Sequence, residues 1–276
     1  FLADPNFIKK AISGNEKKIA PCIACNQACL DHTFSGKISS CLVNPKACFE
    51  TELVSTKALN KKSVAVIGAG PAGMSAAVEA AQRGHAVTLF EKAQAIGGQL
   101  NLAKMVPGKE EFWGLVDWFE EMLKSSGVDV RLGKTVTSTD VIEFDEVIVA
   151  TGVIPRDPKI KGQEENNVLS YTEVLKGGRK IGQKVAVVGA GGIGFDVSEY
   201  LVHESRSDFK QIEIPDWMKE WGVGDPELTA GGLAESGPRP EEATRQVILM
   251  QRKKQKLGRN LGKTTGWIHR SALKMK

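Results

Sequence analysis

Two copies of one pattern, an apolar run followed by a glycine-rich loop and a helical repeat, constrain the fold of this 276-residue chain most strongly. The first copy is SVAVIG at 63–68 with PAGMSAAVEAAQRG at 71–84, and the second is KVAVVGAGGIG at 184–194 with a helical pattern through about Leu201. Short apolar runs are typical of buried parallel strands, and glycines leading into a helix are typical of Rossmann-like folds. The sequence therefore predicts an α/β fold with tandem Rossmann-like domains, each built on a parallel sheet.

Further elements are predicted around these loops from the periodicity of apolar residues. A helix is predicted at 111–127, and strands are predicted at 86–91, 128–133, 144–152 and 245–254. Residues 4–12 have the pattern of a short capped helix, and 20–60 are expected to form loops and short helices. The stretch 205–243, rich in glycine, proline and glutamate, is interpreted as an insertion between the second helix and its strand.

The first loop, GAGPAG, has the residue types that a pyrophosphate site needs. Gly68 permits the tight turn, Gly70 lets the backbone approach a pyrophosphate, and Gly73 allows the helix to pack closely on the strand. Pro71 and Ala72 begin the helix, whose N-terminal amides and positive dipole end attract phosphates. The loop is therefore predicted to bind a dinucleotide.

Three more segments indicate a nucleotide site beside this loop. Glu91 ends the next strand, where a carboxylate can accept hydrogen bonds from both ribose hydroxyls. The segment IGGQL offers a second close approach at Gly98 and Gln99, and ATG places the small residues Thr151 and Gly152 beside the nucleotide. A glycine-rich turn in an unrelated α/β protein is the alternative. The combination resembles the FAD domains of flavoprotein disulphide reductases.

That resemblance implies one more contact, and a nearby lysine suggests another. In such domains the backbone of a mid-domain strand touches the adenine, and Val136 in KTVTS is the matching candidate. Lys109 in VPGKEEF is a candidate to reach the flavin or a phosphate, and a solvated loop lysine is the alternative.

The second loop repeats the chemistry of the first through Gly189, Gly191, Gly192 and Gly194. The acid expected for NAD is missing after the second strand of this unit, which instead ends in basic residues. Arg252, Lys253 and Lys256 are suited to a ribose 2′-phosphate, which a carboxylate would repel. The pattern favours NADPH over NADH, and a solvated basic face is the alternative.

Four cysteines lie close together in the sequence, with the spacing C-x2-C-x3-C-x11-C formed by Cys22, Cys25, Cys29 and Cys41. Structural zinc sites more often use two separated C-x2-C pairs, whereas tightly spaced thiolates suit a [4Fe–4S] cluster. Zinc stays the alternative. Cys48 is interpreted as a buried or spare thiol. The start of the chain has no signal-peptide pattern, so a reducing cytoplasm is expected.

The chain as a whole resembles the bacterial NADPH-dependent 2,4-dienoyl-CoA reductases, which are related to trimethylamine dehydrogenase. The resemblance rests on PCIACNQACLD, VIGAGPAGMSAA, IGGQLNLAKMVPGKEEF, GAGGIGFDVSEYL, LGKTTGWIHR and the stretch EWGVGDPELTAGGL. It implies four segments. On this resemblance, residues 1–20 are the tail of a TIM barrel, 21–62 form an iron–sulfur segment, 63–180 form an incomplete FAD domain, and 181–276 form an NADPH domain.

The resemblance also implies a route for electrons, from NADPH to FAD, through the cluster, and on to FMN in a barrel absent from this chain. The barrel would bind the acyl-CoA substrate, so no catalytic residue is assigned here. Four alternatives stay open. They are an amine dehydrogenase, an NADH-dependent enoate reductase, an electron-transfer subunit like that of glutamate synthase, and a nucleotide-binding module stabilised by zinc. The net charge of +4 is modest, and neither a nucleic-acid nor a membrane partner is expected. A monomer or small homo-oligomer is expected.

Overall fold

The chain folds into two compact units in a computed structural model that describes residues 1–203 and 212–276. The first unit contains 1–104 and 111–164, and the second contains 105–110 and 165–276. The chain therefore passes between the units three times. The predicted limits of the four functional segments stay predictions, because this partition divides the chain by packing and not by cofactor.

The first unit is built on a parallel sheet with the strand order β3-β2-β1-β4. Its strands are β1 Ser63–Ile67, β2 Ala86–Phe90, β3 Asp129–Arg131 and β4 Glu146–Val149. Ala65 lies opposite Thr88 on one side and Val147 on the other, so β1 is central. Since the strands are parallel, the segments that follow β1, β2 and β4 all emerge at one edge of the sheet.

The helices of the first unit are α1 Phe7–Ile12, α2 Leu30–Thr33, α3 Pro71–Gln82, α4 Leu100–Ala103 and α5 Glu111–Ser125, with 3-10 turns at Glu16–Lys18 and Ser138–Val141. Of these helices, α3 packs on the sheet and α5 packs on α3, and together they enclose the core. Pro71 has the fixed φ that suits a first helical turn. On α5, Leu115, Phe119 and Leu123 recur every four residues and join the core with Met74.

The segment that precedes β1 is joined to the first unit by hydrogen bonds and by apolar contacts of Ile23 and Val43 with the core. The indole Nε1 of Trp118 donates to the carbonyl oxygen of Lys18 at 3.0 Å. Asp4 is buried, and its carboxylate accepts from Lys10 Nζ at 2.5 Å and from the Ala20 amide at 2.8 Å. Asp4 does not cap α1 with its side chain, so the predicted capped helix is shorter and uncapped.

The second unit is built on two parallel strands, β5 Lys184–Val188 and β6 Gln246–Met250. Its helices are α6 Tyr171–Lys176, α7 Gly192–Val202, α8 Ile214–Trp221 and α9 Gly266–Met275, with a 3-10 turn at Ala230–Gly232. The predicted insertion at 205–243 does separate α7 from β6. It contains α8, but 204–211 lie outside the described residues.

The predicted strands at 128–133, 144–152 and 245–254 are each longer than the strands observed. Each run of strand-forming residues continues past the point where the backbone stops hydrogen-bonding to the adjacent strand. In the parts of the chain that the structure describes, no helix is both long and apolar enough to cross a membrane.

Candidate functional site

The first glycine loop is a turn so tight that side chains are excluded from it. Gly68 has φ +105°, and a Cβ added there would lie 2.4 Å from the carbonyl oxygen of Ala150. A Cβ on Gly73 would lie 1.8 Å from the carbonyl oxygen of Gly68. Backbone occupies both positions, so glycine is required at each for steric reasons. This geometry is compatible with the roles predicted for these two glycines in turn and packing, and their part in binding a cofactor stays a prediction.

Gly70 faces open space at the start of α3. A Cβ added there would meet no other described residue within 4 Å, whereas one on Gly98 would lie 3.0 Å from the Gly70 Cα. The Gly97 amide donates to the carbonyl oxygen of Ala69 at 2.8 Å, so the IGGQL segment lies directly against the loop. Pro71 and Ala72 form the first turn of α3 beside this space. A phosphate group has room in front of the helix N-terminus.

Glu91 braces the loop from the end of β2. Its carboxylate accepts from the Ala69 amide at 2.8 Å through Oε2 and from the Ala93 amide at 2.8 Å through Oε1. The residue is only 8% exposed. A carboxylate has further lone pairs, so the predicted contact with ribose hydroxyls is compatible with these bonds and stays a prediction. The contact with Ala69 is one that sequence reasoning missed.

The ATG segment closes the site next to the loop. The Ala150 amide donates to the carbonyl oxygen of Ile67 at 2.8 Å, which extends the pairing of β4 with β1. Gln99 Nε2 donates to the carbonyl oxygen of Val153 at 3.1 Å and joins the IGGQL segment to the chain beyond ATG. Thr151 and Gly152 are exposed between these two contacts. The structure thus brings the predicted residues of three segments to one edge of the sheet.

Val136 is not in a strand, because β3 ends at Arg131. The expectation of a mid-domain strand at this residue is therefore corrected. The chain beyond β3 turns back along Glu91, whose carbonyl oxygen accepts from the Lys134 amide at 2.9 Å. Val136 follows in irregular backbone and is half-buried. Its contact with an adenine stays a prediction.

The second glycine loop has the same steric design as the first. A Cβ on Gly194 would lie 1.7 Å from the carbonyl oxygen of Gly189, which matches the close approach of Gly73 to Gly68. The Gly189 amide donates to the carbonyl oxygen of Met250 at 2.8 Å, as the Gly68 amide does to Phe90. At Gly191 and Gly192 an added Cβ would meet nothing within 4 Å among 1–203 and 212–276. This loop also leaves space at a helix N-terminus.

The basic segment after β6 folds around the side chain of Gln251. Its Nε2 donates to the carbonyl oxygens of Lys253, at 2.9 Å, and of Gln255. Arg252, Lys253 and Lys256 are exposed around this turn. The segment follows the carboxyl end of the strand next to β5, where the 2′-position of a bound dinucleotide is read in Rossmann-like folds. The preference for NADPH stays a prediction.

Lys109 makes an ion pair that the sequence did not indicate. Its Nζ lies 2.7 Å from Asp196 Oδ2, and both side chains are about a quarter exposed, at 25% and 23%. Both residues belong to the second unit. Lys109 is thus not a freely solvated loop lysine, and its contact with a flavin or phosphate stays a prediction.

The cysteine segment is turned twice by residues in the left-handed region, Ala24 at φ +50° and Asn26 at φ +56°. The Ser40 amide donates to the carbonyl oxygen of Ala28 at 2.7 Å, which ties the residue before Cys41 to the residue before Cys29. His32 is engaged elsewhere, since its Nδ1 lies 2.9 Å from the carbonyl oxygen of Ile38. The backbone therefore closes this segment into a single loop.

The thiol of Cys25 interacts electrostatically with the other three cysteines of this loop, but the four are not arranged as a metal site. Burial raises the pKa of the Cys25 thiol, the Gln27 amide lowers it, and Cys29, Cys41 and Cys22 raise it further. All five cysteines lie in the described part of the chain and are free thiols, and Cys48 is exposed, so it is not the buried thiol that was one of its two interpretations. Within that part, no group of three or more His, Cys, Asp or Glu residues is arranged to hold a metal ion. Four thiols are the donor type that an iron–sulfur cluster needs, but their observed arrangement is not that of a cluster site, and the cluster stays a prediction.

Two glycine loops of one design, each at the carboxyl end of a parallel strand, define a class of oxidoreductase with two dinucleotide sites. Residues 62–266 match the family model of the pyridine nucleotide-disulphide oxidoreductases, and the chain belongs to this family. Membership confirms the Rossmann-like α/β fold with parallel sheets and implies a flavin-dependent oxidoreductase with FAD and NAD(P)H as cofactors.

The chain is similar to several larger reductases. A metal reductase from Desulforamulus reducens is 33% identical over 279 residues, covering 99% of this chain and 40% of the relative. An NADH oxidase from Thermoanaerobacter brockii is 40% identical over 211 residues, covering 74% and 32%. A cinnamate reductase from Clostridium sporogenes is 35% identical over 207 residues, covering 74% and 31%.

A solved structure of a 2-naphthoyl-CoA reductase in complex with 2-naphthoyl-CoA has a TM-score of 0.71 and 27% identity. The match covers 95% of this chain and 44% of that one. The chain therefore spans less than half the length of each of these proteins.

Proposed function

We propose that this chain is the electron-input part of a flavin-dependent reductase of conjugated acyl compounds, with NADPH as donor and a [4Fe–4S] cluster at the cysteine loop. The finer proposal is a 2,4-dienoyl-CoA reductase of fatty-acid β-oxidation, in which an FMN-bearing barrel outside this chain holds the acyl-CoA. One observation carries the proposal. Ile23 and Val43, which lie just after the first and the last of the four cysteines, pack against the core that contains Met74 of α3, so the cysteine segment belongs to the same packed unit as the first glycine loop.

The residues of the first site have separate tasks in this proposal. Gly70 leaves room for the FAD pyrophosphate, and the N-terminus of α3 at Pro71 and Ala72 attracts its charge. Glu91 holds the loop in shape through the Ala69 amide and accepts from ribose hydroxyls. In the second site, Gly191 and Gly192 leave the matching space for NADPH.

Bound FAD would accept a hydride from NADPH, and a [4Fe–4S] cluster would pass electrons on singly. Cys22, Cys25, Cys29 and Cys41 would each supply one thiolate. The left-handed residues Ala24 and Asn26 bend the chain between the first three cysteines, and the bond between Ser40 and Ala28 ties the residue before the fourth to the residue before the third. No residue of this chain is assigned to proton transfer to the substrate.

The names of the relatives support the substrate class. Cinnamate and 2-naphthoyl-CoA both have a carbonyl group conjugated with carbon–carbon unsaturation, and both names come from proteins similar to this chain. A two-electron donor and a one-electron relay suit such a reaction, because the two electrons of the hydride must be passed on one at a time to reach a distant flavin. The relative named NADH oxidase supports the main alternative, an NADH-dependent enzyme without a 2′-phosphate preference.

The proposal is tested by anaerobic titration of the purified protein with NADPH, together with iron and sulfide analysis. We expect about four iron atoms per chain at this site, bleaching of the FAD absorbance, and a paramagnetic signal from the reduced cluster. Zinc in place of iron, or bleached FAD with a cluster that never becomes paramagnetic, would contradict the relay.

Two cysteine variants make the test specific for the loop. Cys41→Ala should lose iron and the broad visible absorbance of the cluster while FAD is retained, because one of four thiolates is removed. Cys48→Ala is the matched control and should keep both. Equal iron content in the two variants would contradict the assignment of Cys41 as a ligand.

A further inference from the structure

Lys109 reaches the second dinucleotide unit from a distant part of the sequence. The segment 105–110 packs in that unit, although the rest of the unit begins at Glu165. Its Nζ lies 2.7 Å from Asp196 Oδ2, and the two side chains are 25% and 23% exposed. The pair is therefore partly shielded from water, where a charge interaction is stronger than at a fully exposed surface.

Asp196 is placed where a lone carboxylate would oppose phosphate binding. It is the fifth residue of α7, which begins at Gly192. At 1.5 Å per residue it lies about 6 Å along the axis from the first helical residue. This distance is shorter than the Debye length of about 8 Å at physiological ionic strength. An uncompensated negative charge there would reduce the positive potential of the helix N-terminus.

Two other titratable groups of the described residues, His269 and Glu199, interact with Asp196, and neither supplies a compensating positive charge at neutral pH. His269, on α9, is a neighbour of both residues: burial lowers its pKa, Asp196 raises it and Lys109 lowers it, with a net lowering. His269 is therefore mostly neutral at neutral pH. Glu199, one turn further along α7, is another acid and adds negative charge when it ionises.

We propose that Lys109 is an electrostatic part of the second dinucleotide site, because it neutralises Asp196 and keeps the N-terminus of α7 attractive to the phosphates. Lys109 acts through Asp196 and is a positioning residue, not a catalytic one. The inference rests on the proposed binding of a nicotinamide dinucleotide at the Gly189–Gly194 loop.

The test is calorimetric titration of the FAD-loaded protein with NADP⁺, which avoids turnover. Lys109→Met, which keeps the apolar stem, should weaken binding about three- to ten-fold at low ionic strength. At about 1 M salt, where the Debye length is about 3 Å, most of the loss should disappear. Asp196→Asn should bind at least as tightly as the wild type, and Lys109→Met with Asp196→Asn should recover wild-type affinity.

Lys180→Ala, which removes an exposed lysine of the same unit, is the control for net charge and should bind as the wild type does. A nuclear magnetic resonance titration of His269 provides a readout independent of binding. Lys109→Met should raise the pKa of His269, and Asp196→Asn should lower it.

Three results would overturn the inference: wild-type affinity in Lys109→Met at low salt, no recovery in the double variant, or loss of FAD with unchanged NADP⁺ affinity in the loaded fraction. The last would assign Lys109 to the flavin. If the wild type binds NAD⁺ but not NADP⁺, the NADPH proposal fails, and the same variants titrated with NAD⁺ still decide the role of Lys109.

Discussion

Glycine has two different roles within the first loop, and single substitutions separate them. A Cβ on Gly73 would overlap the backbone of Gly68, whereas a Cβ on Gly70 has free space among the described residues. Gly73→Ala gains roughly 1 kcal/mol of helix propensity, but the overlap with immobile backbone outweighs this gain. We expect Gly73→Ala to lower the free energy of unfolding by about 1–3 kcal/mol or more and to lose FAD.

Gly70→Ala is the matched substitution in the same loop. It should leave urea unfolding of the FAD-free protein unchanged but weaken FAD binding, because the methyl group occupies the space before the helix N-terminus. Equal stability of the two variants would contradict the steric account of Gly73. Full FAD affinity in Gly70→Ala would contradict the pyrophosphate assignment.

The basic residues after β6 permit a prediction about cofactor choice. Arg252→Ala with Lys253→Ala should weaken NADPH binding by at least about a hundred-fold, since each charged hydrogen bond to a 2′-phosphate contributes roughly 1.5–3 kcal/mol and two are removed. NADH binding should change little. Lys180→Ala is the control. Stopped-flow reduction of FAD at varied NADPH and NADH gives both affinities, and equal losses for the two cofactors would contradict the prediction.

Among the elements, α7 carries a buried acid, Glu199, from which we expect the stability of the second unit to depend on pH. Glu199 has a side chain that is 13% exposed. Burial raises its pKa to about 7, Lys276 lowers it, and Glu220 and Asp196 raise it. Because this pKa lies above the ordinary value of 4.5, the folded state holds the proton more tightly than the unfolded chain. The contribution of protonated Glu199 to the free energy of unfolding is therefore fully present below about pH 4.5 and is lost as pH rises through about 7.

Glu199→Gln should remove this loss. We expect the variant to be more stable than the wild type at pH 8, by on the order of 3 kcal/mol, and to differ little at pH 4.5. Urea unfolding at the two pH values measures the difference. A variant that is equally or less stable than the wild type at pH 8 would show that Glu199 is ionised without penalty.

The extents of the elements were predicted less well than their presence. The strand beginning at Asp129 ends at Arg131, and the residues that follow turn back along Glu91, so Val136 is not in a strand. Periodicity reports which residues are apolar but not where a backbone stops pairing with its neighbour. α3, by contrast, matches its prediction closely, because Pro71 and Gly84 mark both ends locally.

At the scale of the whole molecule, the three passages between the units make the second unit dependent on the first part of the chain. A polypeptide of residues 165–276 lacks the segment 105–110 and leaves Asp196 without Lys109. We expect it to unfold at a lower temperature than the second unit of the whole chain and to bind NADP⁺ weakly. Circular dichroism and calorimetry measure both, and a fragment as stable as the whole chain would contradict this dependence.

The sequence by itself determined the two glycine loops, the strands that precede them and the helices that follow, because these features depend on neighbours within about twenty residues. The tertiary structure alone decided that Glu91 binds the Ala69 amide, that Lys109 pairs with Asp196, and that 105–110 packs in the second unit. Those contacts join residues far apart in the chain, and they form only when packing has fixed which edges and helix ends are adjacent.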